Sequence, residues 1–129
     1  MIVIDASALL DLILLRPNAS RVADAMMGQS VAAPELIVVE TSSALARLER
    51  AGDLHTHDAD IAIRDVGEMP ISLVGHSPLH TRAWAMRRSL RVTDALYVAC
   101  AEMLSAPLLT SDGRLARAPL SGVAVTLVR

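Results

Sequence analysis

Short apolar runs alternate with longer stretches of helical spacing along this chain. Residues 2–4 form the first run, and apolar residues then recur at helical intervals, at Ala8, Leu9, Leu12 and Ile13. Further runs dominated by apolar residues occur at 31–33, 71–74, 108–110 and 123–128. Continuous apolar runs of this length are typical of strands buried on both faces, and the intervening spacing is typical of amphipathic helices. The pattern predicts four to five short strands separated by helices.

Strands that alternate with helices indicate an α/β fold with a largely parallel sheet. We therefore expect a three-layer α/β/α sandwich whose central, mostly parallel sheet has four to five strands. The chain has 129 residues and no internal repeat or linker-like stretch, so residues 1–129 are expected to form one domain. Thr93 is expected to cap the amino end of a helix over residues 94–104.

Asp5 follows the first apolar run directly. In open α/β sheets ligands bind at the carboxyl ends of the strands, so this position is typical of a site residue. The same position is equally typical of a helix N-cap, because an aspartate side chain accepts hydrogen bonds from the first amides of a helix. Both interpretations of Asp5 stay open when the first ten residues are considered alone.

Three further acids occupy comparable positions. Asp112 follows the run at 108–110, Asp94 lies in the first turn of a predicted helix, and Glu40 lies within a helix beside small residues. Each alone has a structural explanation, as a turn residue, a partner of the helix dipole or a solvated side chain. Gathered with Asp5 at one sheet edge, these carboxylates would repel one another unless a cation lay between them. Mg²⁺ prefers such oxygen ligands and can activate water towards a phosphodiester, which makes metal-dependent hydrolysis the expected chemistry.

Charge and composition limit how a nucleic acid could be held. The formal net charge of −2 argues against binding through bulk positive charge, although setting the four acids aside leaves a net positive remainder. All 12 basic residues are arginines, which suit phosphate contacts. An aromatic content of 2% speaks against a platform that stacks several bases. Any such substrate would be held mainly by its backbone.

The sequence also indicates a cellular compartment. No basic stretch precedes the first apolar run, and no apolar stretch is long enough to span a membrane. Cys100 is the only cysteine, lies in an apolar helical run and is expected to be a buried thiol, which suits a reducing environment. We therefore expect a cytoplasmic protein without membrane contact. Trp84 is expected in the core or at a dimer contact.

Three segments together resemble a known family. They are MIVIDASALL at the start of the chain, VTDALYVACAE at residues 92–102 and LLTSDGRL at residues 108–115, with a weaker match at PELIVVETSSAL around Glu40. The chain resembles the PIN-domain ribonucleases over its whole length and is similar to the VapC-type toxins of toxin–antitoxin pairs. The resemblance implies an endoribonuclease toxin that arrests translation by cutting tRNA or another structured RNA. It also implies a homodimer and a VapB-like antitoxin as partners.

The same resemblance implies roles for individual residues. Mg²⁺, or alternatively Mn²⁺, would be bound by four acids with catalytic and metal-binding roles: Asp5, Glu40, Asp94 and Asp112. Ser7 and Thr110 match hydroxyl positions that orient the carboxylates or water. Gly113, directly after Asp112, departs from the pattern, because many relatives carry a charged residue there.

Five arginines surround the motif acids: Arg87, Arg88, Arg91, Arg114 and Arg117. They are candidates for contacts with RNA phosphates, and a solvated charged face is the alternative interpretation.

The histidine pairs lack a third ligand at a zinc-binding spacing, so zinc is not expected. A haloacid dehalogenase-type phosphatase would need a second aspartate where this chain has Ser7. A catalytically silent PIN-like binding module is the remaining alternative.

Overall fold

Short strands and helices alternate throughout the computed structural model, which describes residues 1–120 and 122–129. The strands of this part of the chain are β1 (Ile2–Ile4), β2 (Val31–Pro34), β3 (Ile71–Val74), β4 (Leu108–Thr110) and β5 (Val125–Leu127). Its helices are α1 (Ala6–Ile13), α2 (Ala19–Met26), α3 (Leu36–Arg50), α4 (Thr56–Glu68), α5 (His80–Ala85), α6 (Val92–Leu104) and α7 (Gly113–Ala116).

The strands form one sheet in the order β3-β2-β1-β4-β5, and all four neighbouring pairs are parallel. In the register of the central pairs, Val3 lies opposite Ala32 of β2 and opposite Leu108 of β4. Every residue of β1 is buried, as expected for a strand covered on both faces. The predicted α/β/α sandwich with a central parallel sheet is confirmed.

The strand order reverses at β1. From β1 the chain moves outward to β2 and β3, and after α6 it returns to the other side of β1 as β4 and then β5. Helices α1, α3 and α4 pack against one another, as do α5 and α6. With the right-handed crossovers that are the rule between parallel strands, these two groups cover opposite faces of the sheet. The carboxyl ends of β1 and β4 flank the point of reversal, which is where open α/β sheets leave a crevice for ligands.

The core is built from the strands and the inner sides of the helices. Its largest fully buried side chains include Ile4, Leu9, Leu109 and Tyr97. Cys100 of α6 is also fully buried, as predicted. No helix of residues 1–120 and 122–129 is long and apolar enough to cross a membrane.

One local expectation was wrong, and another is narrowed. Helix α6 begins at Val92 with Arg91 as its N-cap residue, so Thr93 lies inside the helix. Trp84 is 59% exposed on α5, because the buried side of this short helix is formed by Ala83 instead. Of the two places expected for Trp84, this exposure excludes the core, and the dimer contact stays a prediction.

Candidate active site

Asp5 lies at the carboxyl end of β1 and begins α1. Its backbone N–H donates to the carbonyl of Leu109 in β4 at 3.1 Å, which ties the residue to the point where the strand order reverses. Its Oδ1 accepts from the backbone N–H of Ala8 at 3.0 Å, so Asp5 is an N-cap. The residue is only 5% exposed, yet it stands at the sheet edge where a site is expected. The two interpretations of Asp5 therefore describe the same side chain, which caps the helix through one oxygen.

Two hydroxyl groups hold the Asp5 carboxylate. Ser7 donates to Oδ1 at 2.7 Å, and Thr110 at the end of β4 donates to Oδ2. Each hydroxyl oxygen in turn accepts a backbone N–H, Ser7 from Ser111 at 3.0 Å and Thr110 from Asp112 at 3.0 Å. The Asp5 side chain is thus tied on both sides to the β4–α7 connection, as expected for residues that orient a carboxylate.

Burial raises the pKa of Asp5 above its ordinary value, because the ionised carboxyl is poorly solvated there. The hydrogen bonds from Thr110, Ala8 and Ser7 act in the opposite direction, since they stabilise the charged form. The negative charge of Asp112 raises the Asp5 pKa further. A cation near these two acids would stabilise the ionised form of Asp5.

Arg114 links Asp94 and Asp112. Its Nη2 lies 3.0 Å from Oδ2 of Asp94 and 2.9 Å from Oδ2 of Asp112, so one nitrogen contacts both carboxylates. The Arg114 backbone N–H also donates to Oδ1 of Asp112 at 2.8 Å, in a capping contact at the start of α7. Asp94 is 8% exposed and receives a second contact from Arg91 Nε at 3.2 Å. The pKa of Arg114 is raised, chiefly by its hydrogen bond to Asp94.

Glu40 reaches the same edge from α3. Its Oε1 accepts from the Tyr97 hydroxyl at 2.7 Å, and Tyr97 stands three residues after Asp94 on the same face of α6. Burial and the hydrogen bond to Glu40 raise the pKa of Tyr97, and the negative charge of Asp5 adds to this shift. Tyr97 therefore remains a neutral donor to Glu40, close enough to Asp5 to feel its charge.

The donor atoms suit a hard divalent cation in their chemistry. The four acids offer only carboxylate oxygens, and the buried Ser111 Oγ next to Asp112 in the sequence lacks a hydrogen-bond partner among the described residues. A guanidinium cation already lies between two of the carboxylates. Within residues 1–120 and 122–129, however, no three His, Cys, Asp or Glu side chains are arranged to hold one ion directly. The side chains would have to rearrange when an ion binds.

The five candidate arginines are not equivalent. Arg91 and Arg114 contact the acids, whereas Arg87 stacks on Trp84 with its guanidinium carbon 4.5 Å from the ring centre. Arg88 is exposed in the turn after α5 and forms no ion pair among the described residues. The guanidinium of Arg117 lies over Gly113, where a Cβ would be 2.8 Å from its Nη1.

Tyr97 and Arg129 were missed by the sequence reasoning. Arg129 also lies over Gly113, with its Nη2 2.5 Å from the position of a Cβ, so the missing side chain at Gly113 leaves room for two guanidinium groups. No spacing in the sequence places Arg129 there, because β5 brings it to the site. Tyr97 lies inside the segment VTDALYVACAE, and its spacing of three from Asp94 is the signal in the sequence that points to it.

Comparison with known proteins identifies the family of this chain. Residues 2–120 match the family model of the PIN domain. Ribonuclease VapC3 of Mycobacterium tuberculosis is 40% identical over 118 residues, which cover 91% of this chain and 86% of that protein.

Two solved structures share the fold. PAE2754 from Pyrobaculum aerophilum superposes with a TM-score of 0.71 at 24% identity, covering 96% of this chain and 82% of the other. VapBC2 from Rickettsia felis, bound to a DNA fragment from its promoter, gives a TM-score of 0.70 at 12% identity and covers both chains completely, at 100% each. Since the family model spans most of the chain and a curated relative is 40% identical over 91% of it, this chain belongs to the PIN domain family.

Proposed function

We propose that this protein is a Mg²⁺-dependent endoribonuclease of the VapC type, with Mn²⁺ as an alternative ion. The metal-holding and catalytic residues are Asp5, Glu40, Asp94 and Asp112. The relative named a ribonuclease supports the reaction, and the arrangement of the acids in this chain supports the site. Ser7 and Thr110 position Asp5 by donating to its two oxygens.

One observation carries the proposal: acids from separate elements are joined at the point where the strand order reverses. Thr110 connects Asp5 to the backbone of Asp112, and Arg114 connects Asp112 to Asp94. If the ion pairs of Arg114 served only to stabilise the fold, they would not need the buried carboxyl of Asp5, whose pKa is raised, beside them. Arg114 offsets the charge of Asp94 and Asp112, whereas Asp5 forms no ion pair among the described residues. A divalent cation would offset the negative charge that remains, as is typical of a metal site.

The chain's own residues would bind and orient the substrate around this site. A bound divalent cation supplies an activated water and stabilises charge on the phosphodiester. Arg91, Arg114 and Arg117 stand beside the acids and can contact phosphate oxygens of the RNA backbone. Arg87 and Arg88 lie in the turn after α5 and would contact phosphates further along the strand.

The proposed partners follow from the relatives. The solved structures that share the fold include a toxin–antitoxin complex from Klebsiella pneumoniae, and we assign this chain a VapB-like antitoxin, a homodimeric state and a cytoplasmic location. The RNA substrate is tRNA or another structured RNA, held mainly through its backbone because exposed aromatic side chains are scarce.

Cleavage of a cellular RNA pool tests the proposal. Purified wild-type protein is incubated with RNA in Mg²⁺, in Mn²⁺ and in chelator, beside Asp5→Asn. We expect discrete cuts that need the metal and that are lost in Asp5→Asn. Asp24→Asn is the matched control, because Asp24 is exposed on α2 and makes no ion pair among the described residues.

Three outcomes would contradict the proposal. Cuts that persist in chelator would exclude the metal-dependent reaction. Equal cutting by Asp5→Asn would remove Asp5 from the reaction. Failure of a folded preparation, freed of any co-purified antitoxin, to cut any RNA would support the silent binding module instead.

A further inference from the structure

Arg114 neutralises two of the acids from within the chain. A single nitrogen, Nη2, lies at 3.0 Å and 2.9 Å from the Oδ2 atoms of Asp94 and Asp112. The two carboxylates belong to different elements, α6 and the start of α7, so this one side chain links the two elements at the site. The Arg114 side chain is 49% exposed, which leaves it free to turn away into solvent.

A divalent cation that used the Oδ2 atoms of Asp94 and Asp112 would compete with this guanidinium for the same two oxygens. A carboxylate oxygen that coordinates Mg²⁺ or Mn²⁺ turns its lone pair to the ion, and two positive groups cannot share the space between the same two oxygens without strong repulsion. The ion must therefore either leave Asp94 Oδ2 and Asp112 Oδ2 unused or displace Arg114 from them.

We propose that Arg114 is an internal counter-ion that holds Asp94 and Asp112 together before metal binds and is displaced when the ion enters. This inference rests on the proposed metal-dependent function. In this role Arg114 is a positioning residue: it keeps the carboxylates close in the metal-free protein and lowers the affinity for the ion through competition. The displaced guanidinium stays beside the site, where it can contact the phosphate of the substrate.

Neighbouring arginines provide matched controls. Arg91 contacts only Asp94, through Nε at 3.2 Å, and its side chain is 69% exposed. Arg117 lies over Gly113 close to the site and forms no ion pair within the described residues. Removing the Arg117 charge changes the electrostatic potential at the site but removes no group that competes with the metal ion for a carboxylate. Comparison of these positions separates competition from a general effect of charge.

Titration calorimetry with Mn²⁺ on metal-free protein tests the proposal. For Arg114→Gln we expect Mn²⁺ to bind more tightly than to wild type by roughly 2- to 5-fold. This is the factor expected when the ion no longer has to displace one solvent-exposed ion pair. Arg117→Gln should stay near the wild-type affinity, Arg91→Gln should lie between the two, and Arg114→Lys should return towards wild type. The metal-free Arg114→Gln protein should melt roughly 2–5 °C lower, because the carboxylates lose their counter-ion.

A second measurement needs no variant and covers the case in which Arg114→Gln does not fold. In the wild-type protein, the side-chain Nε–H signal of Arg114 in an NMR spectrum should shift when Mg²⁺ is added, while that of Arg117 shifts much less. Equal or weaker Mn²⁺ binding by a folded Arg114→Gln protein would overturn the proposal. An equal gain in Arg117→Gln, or an Arg114 signal that ignores Mg²⁺, would overturn it as well.

RNA cleavage assayed in parallel separates this inference from the proposed function. If wild type cuts RNA with metal and Arg114→Gln binds Mn²⁺ no more tightly, the counter-ion role fails and the nuclease stands. If Arg114→Gln binds Mn²⁺ more tightly but no variant cuts RNA, the counter-ion role stands and the nuclease fails.

Discussion

Thr110→Val removes one hydroxyl from the centre of the site and leaves the side-chain volume nearly unchanged. Thr110 is fully buried, and its hydroxyl donates to Asp5 Oδ2 while accepting from the Asp112 backbone N–H. Valine replaces that hydroxyl with a methyl group, which can neither donate to the carboxylate nor accept from the amide. The variant therefore tests whether this network stabilises the ionised Asp5 in the folded protein.

The cost can be worked from the two lost contacts. A hydrogen bond to a charged group contributes roughly 1.5–3 kcal/mol, and the Asp112 amide adds up to about 1 kcal/mol because it is only partly buried. We expect Thr110→Val to lose about 2–4 kcal/mol of unfolding free energy at pH 7. With a urea slope of about 2 kcal/mol per molar, the midpoint should fall by roughly 1–2 M.

This loss should depend on pH. In the folded protein, burial raises the pKa of Asp5 and the Thr110 hydroxyl lowers it. The effect of burial is larger, so the folded pKa stays above that of the unfolded chain. Removing the hydroxyl raises the folded pKa further and leaves the unfolded value unchanged. The stability difference between wild type and variant should therefore be largest above both folded pKa values and should shrink as the pH falls through them.

Urea unfolding followed by circular dichroism at several pH values measures these differences. Thr110→Ser keeps the hydroxyl and loses one buried methyl group, which costs about 1 kcal/mol. Thr126→Val on β5 is the control for the same exchange at an exposed position and should change stability by less than about 0.5 kcal/mol. A Thr110→Val midpoint equal to that of Thr110→Ser, or a difference that stays constant with pH, would refute the reasoning.

Three further predictions concern buried groups of the same region. Metal-free Asp5→Asn should be more stable than wild type at pH 7, because burial raises the pKa of Asp5 and folding then favours the uncharged side chain. This advantage should vanish below the unfolded pKa of about 3.9. Urea unfolding at pH 7 that shows no gain in stability would contradict the prediction. Tyr97→Phe should cost about 1–2 kcal/mol in the same assay, since Glu40 loses its donor, and an unchanged midpoint would show that water replaces the phenol. Cys100 should not react with a thiol reagent at pH 8 until the protein unfolds, because burial raises its pKa to about 11; rapid labelling of native protein would disprove this.

Much of the fold could be predicted from the sequence because strands and helices of this kind have different apolar periods. The run at residues 2–4 became β1, and the run at 108–110 became β4. The acids that follow these runs, Asp5 at once and Asp112 after Ser111, were identifiable as candidates, since the carboxyl ends of parallel strands share one edge. The match of residues 2–120 to the PIN domain confirms the family that the motifs indicated.

Some features depend on distant contacts that no local pattern contains. The hydrogen bond from Tyr97 to Glu40 joins residues 57 positions apart, and it exists because α6 and α3 meet at the end of the sheet. The sequence left Trp84 either in the core or at a dimer contact, because apolar spacing does not reveal which side of a short helix is covered, and only the structure excludes the core. The contact of Arg114 with Asp94 likewise requires α7 to begin beside α6.

The sequence by itself determined the elements, the family and the candidate acids, because these depend on residue type and on spacing along the chain. Only the tertiary structure decided that β1 and β4 are neighbours, with the strand order reversing between them. That adjacency brings Thr110 to Asp5 and lets one guanidinium lie between Asp94 and Asp112. The physical reason is that a carboxylate's environment, and hence its pKa and its counter-ion, is set by the groups that packing places around it.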